Sequence, residues 1–444
     1  MLGIWREELR ITERENLAIE KELNISEIIQ QKSLLAYFQP IMSVTGNKII
    51  GLEGLIRGII PGTTQIISPL LLFEAGNKEG LAKDLDRACR DKVLAAFKPF
   101  YQSDQDLLLF LNLDTSIIDE VGCSNYLNDQ VNQIGINVKN IVIEINESKA
   151  KNTLALMQFV DTYKNYGFLI ALDDVGAGFS NMDRIADLKP DIIKIDRAIV
   201  HKMDYIYHKQ EVFKSLVNLS NKIGALVIAE GVETKQEAIQ VLNLGGQLIQ
   251  GFYFSKPVEE FVFSEALLEK NIDIVEEYKA FLLMELEDYN RKCLEYSQTV
   301  NRMIKSISTY DVSEFNFQLL KCIQDSLFID CAYVLDESGI QCSETVGAKH
   351  SSICEKLVFH SAKIGVDHSI KKYYYNLIRR KQNTYVTEPY VSMATGSLCI
   401  TYSKIFKHTN KKYILCVDFL EKKKPTSVSS VSNEESDFKI PNNM

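Results

Sequence analysis

Residues 167–174 read GFLIALDD. After the glycine, five apolar residues follow one another without a polar break. Such a run cannot alternate between core and water, so it reads as a strand covered on both faces. The preceding segment has another period. Leu154, Met157, Val160 and Tyr163 recur at spacings of three, which marks one face of a helix over 153–166. Gly167 sits where that helix must stop, because a residue without Cβ takes the left-handed turn that closes a helix. At its far end the run finishes in two carboxylates, Asp173 and Asp174.

The same texture recurs on both sides. Upstream lie LLAYFQPI at 34–41, KIIGLEGLI at 48–56, DLLLFLNL at 106–113 and NIVIEI at 140–145. Downstream lie DIIKID at 191–196, ALVIAEG at 225–231 and QLIQGFYF at 247–254. Helical segments between them end at Gly224 and at Gly245–Gly246. Strand–helix–strand repetition with short connections implies right-handed crossovers and a parallel sheet. Eight runs in about 230 residues match the size of a TIM-like (β/α) barrel, an α/β fold. An open doubly wound sheet is the alternative, but no G-x-G-x-x-G follows the first run.

Outside residues 29–262 the texture changes. Residues 1–28 are charged and read as a helical N-terminal extension. Residues 264–306 hold neither Pro nor Gly, and Val275, Tyr278, Leu282, Leu286, Tyr289, Cys293, Tyr296, Val300 and Met303 step by three or four. One apolar stripe therefore runs along a connector helix over 263–308. It either lies on its own domain or forms a signalling or dimer-forming link. A second unit, α+β, is expected over 309–422. It contains the amphipathic FNFQLLKCIQDSL, the turn Asp336-Glu337-Ser338-Gly339 and a closing hairpin that ends in ILCVDFLE. Residues 423–444 are rich in Lys, Ser, Asn and Pro, and a disordered tail is expected.

The chain has 444 residues, with 50 Lys and Arg against 59 Asp and Glu. A formal net charge of −9 argues against a general nucleic-acid coat, because no global positive field attracts a polymer of phosphates. A phosphate ligand would need a local device such as bound cations. The nine Cys never form C-x-x-C, which reads as reduced thiols of a cytoplasmic protein. No apolar stretch approaches the roughly 18 residues that cross a bilayer. The opening MLGIWREELRITEREN is not expected to act as a signal peptide.

Chemistry concentrates at the ends of the runs. Glu53 lies in the second, Asn112 near the end of the third, and Glu144 in the fourth with Glu147 one turn on. Asp173 and Asp174 end the fifth, Lys194 and Asp196 lie in the sixth, and Glu230 is in the seventh. In a parallel barrel the C-terminal strand ends converge on one mouth. Clustered carboxylates cannot all stay ionised at close range without cations or protons among them. A set that is almost purely oxygen suits magnesium, manganese or calcium. His201 and His208 are the only His of this region and neither ends a run, which argues against a zinc hydrolase. Asp173-Asp174 suits two ions, which would clamp the attacking and leaving oxygens of a phosphodiester in line. Lys194 can position water or offset charge on phosphoryl oxygens, and Arg57 can grip a phosphate through its fork of donors. Taken singly, each residue has a plainer reading: a solvated loop Glu, a capping Asp196, a mobile loop at Gly176 and Gly178. Repetition at strand ends favours the metal site.

Eight ordered segments resemble the EAL family of cyclic di-GMP phosphodiesterases: YFQPI at 37–41, EGLIRG at 53–58, NLD at 112–114, IEINE at 143–147, DDVGAGFSN at 173–181, LKPDIIKID at 188–196, AEGVET at 229–234 and QGFYFSKP at 250–257. The resemblance implies hydrolysis of cyclic di-GMP to linear pGpG with Mg²⁺ or Mn²⁺, two ions per site. Position by position, Glu53, Asn112, Glu144 and Asp173 resemble the metal ligands, and Asp174 reaches the second ion. Lys194 resembles the water-orienting lysine, and Glu230 the general base or metal partner. Glu147 resembles the anchor of the loop after Asp174, with Asp196, Gly176, Gly178 and Glu233 in supporting places. Arg57, Gln39, Gln250 and Pro257 resemble substrate-binding positions. A homodimer is the expected assembly.

The chain departs from the family pattern at Gly54, where Ala is usual, and at Asp114, where Ser is. Asn146 replaces Thr, and Val175, Ala177 and Phe179 replace Phe, Thr and Tyr. No metal ligand is lost. A weak or inactive module that binds cyclic di-GMP without cutting it stays open as an alternative. The 309–422 region resembles the PAS-like sensor that follows the EAL domain in some Bacillus-type proteins, which would regulate turnover through the connector.

Overall fold

The computed structural model describes residues 23–114, 118, 124–146, 152–178, 182–324, 326–347 and 358–421. Most of the expected N-terminal extension, Glu147, Phe179 and the 423–444 tail lie outside the described residues. The chain divides into two compact units, with the boundary between Phe281 and Leu282.

In the first unit the eight runs become strands. They are β1 (Leu34–Ser43), β2 (Lys48–Ile59), β4 (Leu108–Leu113), β5 (Ile141–Asn146), β6 (Leu169–Val175), β7 (Ile192–Ile195), β8 (Leu226–Ala229) and β9 (Leu248–Ile249). A short β3 (Ile66–Ile67) lies on β2. The hydrogen-bonded order is β1-β9-β8-β7-β6-β5-β4-β2, and β2 returns to β1. Among the described residues the sheet is thus a closed eight-stranded barrel. The strands from β2 to β9 that form the ring run parallel, but β1 is antiparallel to both its neighbours. The all-parallel expectation is corrected here, and the reason is length. Only residues 44–47 separate β1 from β2, whereas a parallel crossover needs a dozen or more.

Outward-facing Leu109, Leu111, Ile143, Ile145, Ile193 and Ile195 bury against the surrounding helices. One of these is Thr153–Tyr166, capped by Asn152 and closed by Gly167 in the left-handed conformation. Its buried face is Leu156, Phe159, Val160 and Tyr163, while Leu154 is 71% exposed. The apolar stripe therefore starts two residues later than the spacing of three suggests, and it includes the i+3/i+4 pair that a core-facing helix needs.

A single helix spans Glu265–Ile307. Near its start, the fully buried Asn271 donates to the Val44 carbonyl at 3.0 Å and to the Asn47 side chain at 2.9 Å. Lys270 Nζ donates to the Tyr253 carbonyl at 2.8 Å, and Val275, Tyr278 and Phe281 pack on the barrel core. Tyr296, Val300, Met303 and Ile307 belong to the core of the second unit. Between these groups, Leu286 and Tyr289 are largely exposed.

The second unit holds β10 (Ile329–Asp336), β11 (Val346–Gly347), β12 (Thr384–Val386), β13 (Tyr390–Val391), β14 (Leu398–His408) and β15 (Lys411–Leu420). They form an antiparallel sheet ordered β11-β10-β15-β14-β12, with β13 also on β14. One face packs Val334, Leu415, Val417 and Phe419 with the helix Phe315–Ile323. The other packs Tyr333, Leu335, Ile414 and Cys416 with the helix Lys372–Arg379. Thr409 and Asn410 both take positive φ, which a tight two-residue hairpin requires. Among the described residues no helix is long and apolar enough to cross a membrane.

Candidate active site

The barrel interior is built in layers. Ile41, Phe110, Val142, Ala171, Ile192, Ile228 and Leu248 form an apolar floor, one residue from each of seven strands. Two residues nearer the mouth, continuing along the same seven strands, come Gln39, Asn112, Glu144, Asp173, Lys194, Glu230 and Gln250. Glu53 on β2 joins them, opposite Gln39 in the register. Alternate strand residues share a face. A strand buried on both sides can therefore look uniformly apolar and still aim one polar side chain inward. This second layer is itself buried: Glu53, Glu144, Asp173, Lys194 and Glu230 are each no more than 8% exposed.

Lys194 is the centre. Its Nζ lies 2.5 Å from Glu144 Oε1, 2.6 Å from Glu230 Oε1, 3.1 Å from Asp173 Oδ1 and 3.5 Å from Glu53 Oε2. An ammonium has three protons to donate, so it cannot direct a hydrogen bond at all four carboxylates. Glu144 Oε2 has no donor among the described residues. Burial, then the nearby Glu53 charge, hold the Glu144 carboxyl well above the usual range. Burial does the same to Glu230, against the pull of Lys194. For Lys194 burial opposes the charge, but Asp173, Glu144, Glu230 and Glu53 outweigh it and raise its affinity for the proton.

The rest of the ring is held by amides. Asn112 Nδ2 donates to Glu53 Oε1 at 3.1 Å. Gln250 Nε2 donates to Glu53 Oε2 and to Gln39 Oε1, and Gln39 in turn donates to the Ser255 carbonyl.

Asp173 and Asp174 are consecutive, so on a regular strand they would face opposite ways. The ladder between β6 and β7 shifts register between Leu172 and Val175, and Asp174 has φ of 58°. This left-handed residue in a bulge re-aims the second carboxylate. Asp173, Asp174 and Glu230 each place an oxygen within 4.8 Å of the others. Asn146 donates to Asp174, and burial followed by the Asp173 charge raises the Asp174 carboxyl. Gly176 follows at φ +99°, where a Cβ would lie 2.1 Å from Ile199 Cδ1. Gly178 takes φ +119°.

Of the other sequence candidates, Glu233 and Pro257 line the cleft above the ring. Asp196 caps the helix Arg197–Val200, its Oδ1 accepting from the Ala198 amide at 2.7 Å. Arg57 is buried, on the same face of β2 as Glu53 and the cleft-lining Leu55. It donates to the Ile56 carbonyl and lies over the Tyr37 ring. Among the wall residues that escape the sequence reading are Arg197 and Phe252. Arg197 pairs with Glu233 at 2.8 Å. Each sits just past a strand end, so only the observed end of the strand distinguishes it from an ordinary loop residue. The surplus of buried carboxylate over cation, with oxygens converging at the mouth, fits divalent cations held by hard ligands.

Fold and site together define a barrel with an acidic, cation-fitting mouth. The family model of the EAL domain matches residues 22–257, and the chain belongs to the EAL family. It is similar to YkuI of Bacillus subtilis (strain 168), an uncharacterized EAL-domain containing protein, with 26% identity over 382 residues, covering 83% of this chain and 91% of that one. The probable cyclic di-GMP phosphodiesterase PdeB of Escherichia coli (strain K12) is 25% identical over 241 residues, or 54% of this chain and 46% of PdeB. The cyclic di-GMP phosphodiesterase RocR of Pseudomonas aeruginosa is 26% identical over 226 residues, or 51% of this chain and 57% of RocR. The chain thus spans only about half the length of these two phosphodiesterases. The crystal structure of YkuI in complex with its substrate c-di-GMP and calcium matches with a TM-score of 0.76 at 24% identity, covering 90% of this chain and 99% of that one. That likeness establishes the shared fold.

Proposed function

We propose that the barrel mouth binds cyclic di-GMP and hydrolyses one phosphodiester bond to give linear pGpG. Mg²⁺ or Mn²⁺, two per site, would be held by Glu53, Asn112, Glu144, Asp173 and Asp174. The observation that carries this reading is the ring of four buried carboxylates about Lys194 in a member of the EAL family. The activity named for PdeB and RocR, and the ligand bound by YkuI, support the choice of substrate.

When bound, the divalent cations offset the charge that builds on the phosphoryl oxygens. The other steps fall to side chains. Glu230 lies beside Lys194 and lines the cleft, so it can take the proton of the attacking water. Lys194 orients that water and balances charge from below. Asn112 and Gln250 fix the Glu53 carboxylate, and Gln39 holds Gln250. Arg197 can hold the second phosphate, and Phe252 can stack on a guanine.

Residues 29–262 would form the phosphodiesterase, 263–308 the connector and 309–422 a PAS-like sensor that regulates it. Contacts at the start of the long helix support a regulatory route. Lys270 touches the Tyr253 and Phe254 carbonyls beyond Gln250, and Asp273 and Glu277 hold Lys235 just beyond Glu233. The seven described cysteines are all free, in keeping with a cytoplasmic location. Leu282, Leu286 and Tyr289, the exposed middle of the helix's apolar stripe, are candidate contacts of a homodimer. Sedimentation of Leu286→Glu against the parent chain tests that assembly.

Purified chain with cyclic di-GMP and Mg²⁺ or Mn²⁺ should yield pGpG on chromatography. Glu53→Ala or Lys194→Ala should lower turnover by at least about two orders of magnitude. Tight binding by calorimetry with no product in either metal would instead make the chain a cyclic di-GMP receptor.

A further inference from the structure

Charge is unevenly distributed in this acidic chain. Between residues 358 and 421 there are ten Lys and Arg against four Asp and Glu, although the whole chain carries −9. One of those acids, Asp418, is buried. Six of the cations, Lys363, Lys371, Lys372, Arg379, Arg380 and Lys381, fall within 19 residues that hold one acid, Asp367. All six are exposed.

The helix Lys372–Arg379 buries Tyr373, Tyr374 and Leu377 against the sheet. Its opposite face carries Lys372, Tyr375 and Arg379, with Ile378 at the edge. Tyr375 is 52% exposed and Ile378 40%, while Ile370, just before the helix, is 87% exposed. The Arg379 guanidinium lies over the Tyr375 ring. The chain then turns into β12, where the Ile405 amide donates to the Asn383 carbonyl at 3.0 Å. That contact brings the tip of the β14–β15 hairpin alongside. There Lys407 sits opposite Lys412 and His408 opposite Lys411. Like charges directly opposed across strands are unfavourable, and an external anion relieves them. On the flank, the acidic Asp336-Glu337 turn adjoins Tyr374, whose hydroxyl donates to the Glu337 carbonyl.

Cations alone would suit any polyanion. Bulky apolar side chains standing in water among those cations do not suit a nucleic acid, which offers phosphates and leaves Ile370 and Ile378 without a partner. Together they have the composition of a helix that lies in a lipid–water interface, with apolar groups below the headgroups and cations level with them. We propose that this face of the second unit docks peripherally on an anionic lipid bilayer. The basic helix and hairpin tip would contact the headgroups, and Ile370, Tyr375 and Ile378 would enter the interface.

The test is co-sedimentation of the full chain with vesicles of phosphatidylcholine, with and without phosphatidylglycerol, read without reference to turnover. Binding is expected only where the anionic lipid is present, and it should be lost at high salt. Each surface cation is worth about five-fold in affinity. The triple variant Arg379→Gln, Arg380→Gln, Lys381→Gln should therefore bind about a hundred-fold more weakly. Ile370→Ser with Ile378→Ser should weaken binding several-fold while keeping its salt dependence. All five positions are exposed, and an unchanged melting temperature checks that the variants fold. Absence of vesicle binding overturns the proposal. So does binding to duplex DNA as tight as to vesicles with no effect of the isoleucine changes, which would assign the face to a nucleic acid.

Discussion

Gly54 stands where a Cβ would lie 2.2 Å from Val93 Cγ1, on the helix that backs β2. The departure from the family's usual Ala is therefore a packing exchange between a strand and its helix, with no loss of chemistry. Gly54→Ala is expected to cost about 1–3 kcal/mol through overpacking. Adding Val93→Ala should recover part of that loss in a double-mutant cycle followed by thermal denaturation. Lys194 sets a stronger condition. Lys194→Met removes the charge that faces four buried carboxylates, and breaking a buried ion pair on one side costs about 3–5 kcal/mol. In chelator the variant should melt well below the parent, and Mg²⁺ should restore more stability to it than to the parent. Equal melting temperatures would show that the ring does not depend on that charge. The inward positions were legible in the sequence because each is a lone polar residue at the end of an apolar run. Arg57, four residues past Glu53 on the same face of β2, lies over the Tyr37 ring, and phosphate binding by it belongs to the proposed function.

At the level of elements, what the sequence concealed was direction and exposure. The runs were visible, but the inversion of β1 depends on a connection too short to cross over. Likewise the helix over 153–166 was visible, but its buried face was not, because Leu154 is as apolar as Leu156 and only the cap at Asn152 fixes where the first turn begins. The bulge at Asp174 had no sequence signal beyond the paired Asp, since a left-handed residue is set by tertiary contacts. Gly176→Ala adds a Cβ to a residue at φ +99° and drives it against Ile199. Turnover should fall at least ten-fold if the bulge holds the second carboxylate, with little change in substrate affinity measured by calorimetry. The long helix makes a separate prediction. Asn271→Leu removes two buried hydrogen bonds, to the Asn47 side chain and to the Val44 carbonyl, which keeps only the Asn47 amide at 3.3 Å, and each lost bond costs about 1 kcal/mol. Urea denaturation should show that loss.

On the scale of the whole molecule, the second unit should respond to pH on its own account. Asp418 is buried, accepting from Thr401 at 2.8 Å and from Cys331 and Tyr390 at 3.4 Å. Burial, with Asp330 nearby, pushes its carboxyl from 3.8 up to about 6. Between those values the folded unit keeps a proton that the unfolded chain gives up. The stability due to this group is therefore complete below about pH 4 and is lost as pH rises through 6, a change of roughly 3 kcal/mol at 1.36 kcal/mol per unit. Calorimetric scans from acid to neutral pH should show the second unit melting earlier as pH rises, and Asp418→Asn should flatten that trend. The first unit faces a different constraint, one of timing. β1 is completed by β9, through Met42 with Ile249, and by the bridge from Phe38 to Val258. A ribosome making this chain therefore releases one edge of the cylinder some two hundred residues before the edge that will cover it. Until then the nascent hairpin offers an unsatisfied border to any neighbouring strand, and a message truncated before that point should give insoluble product.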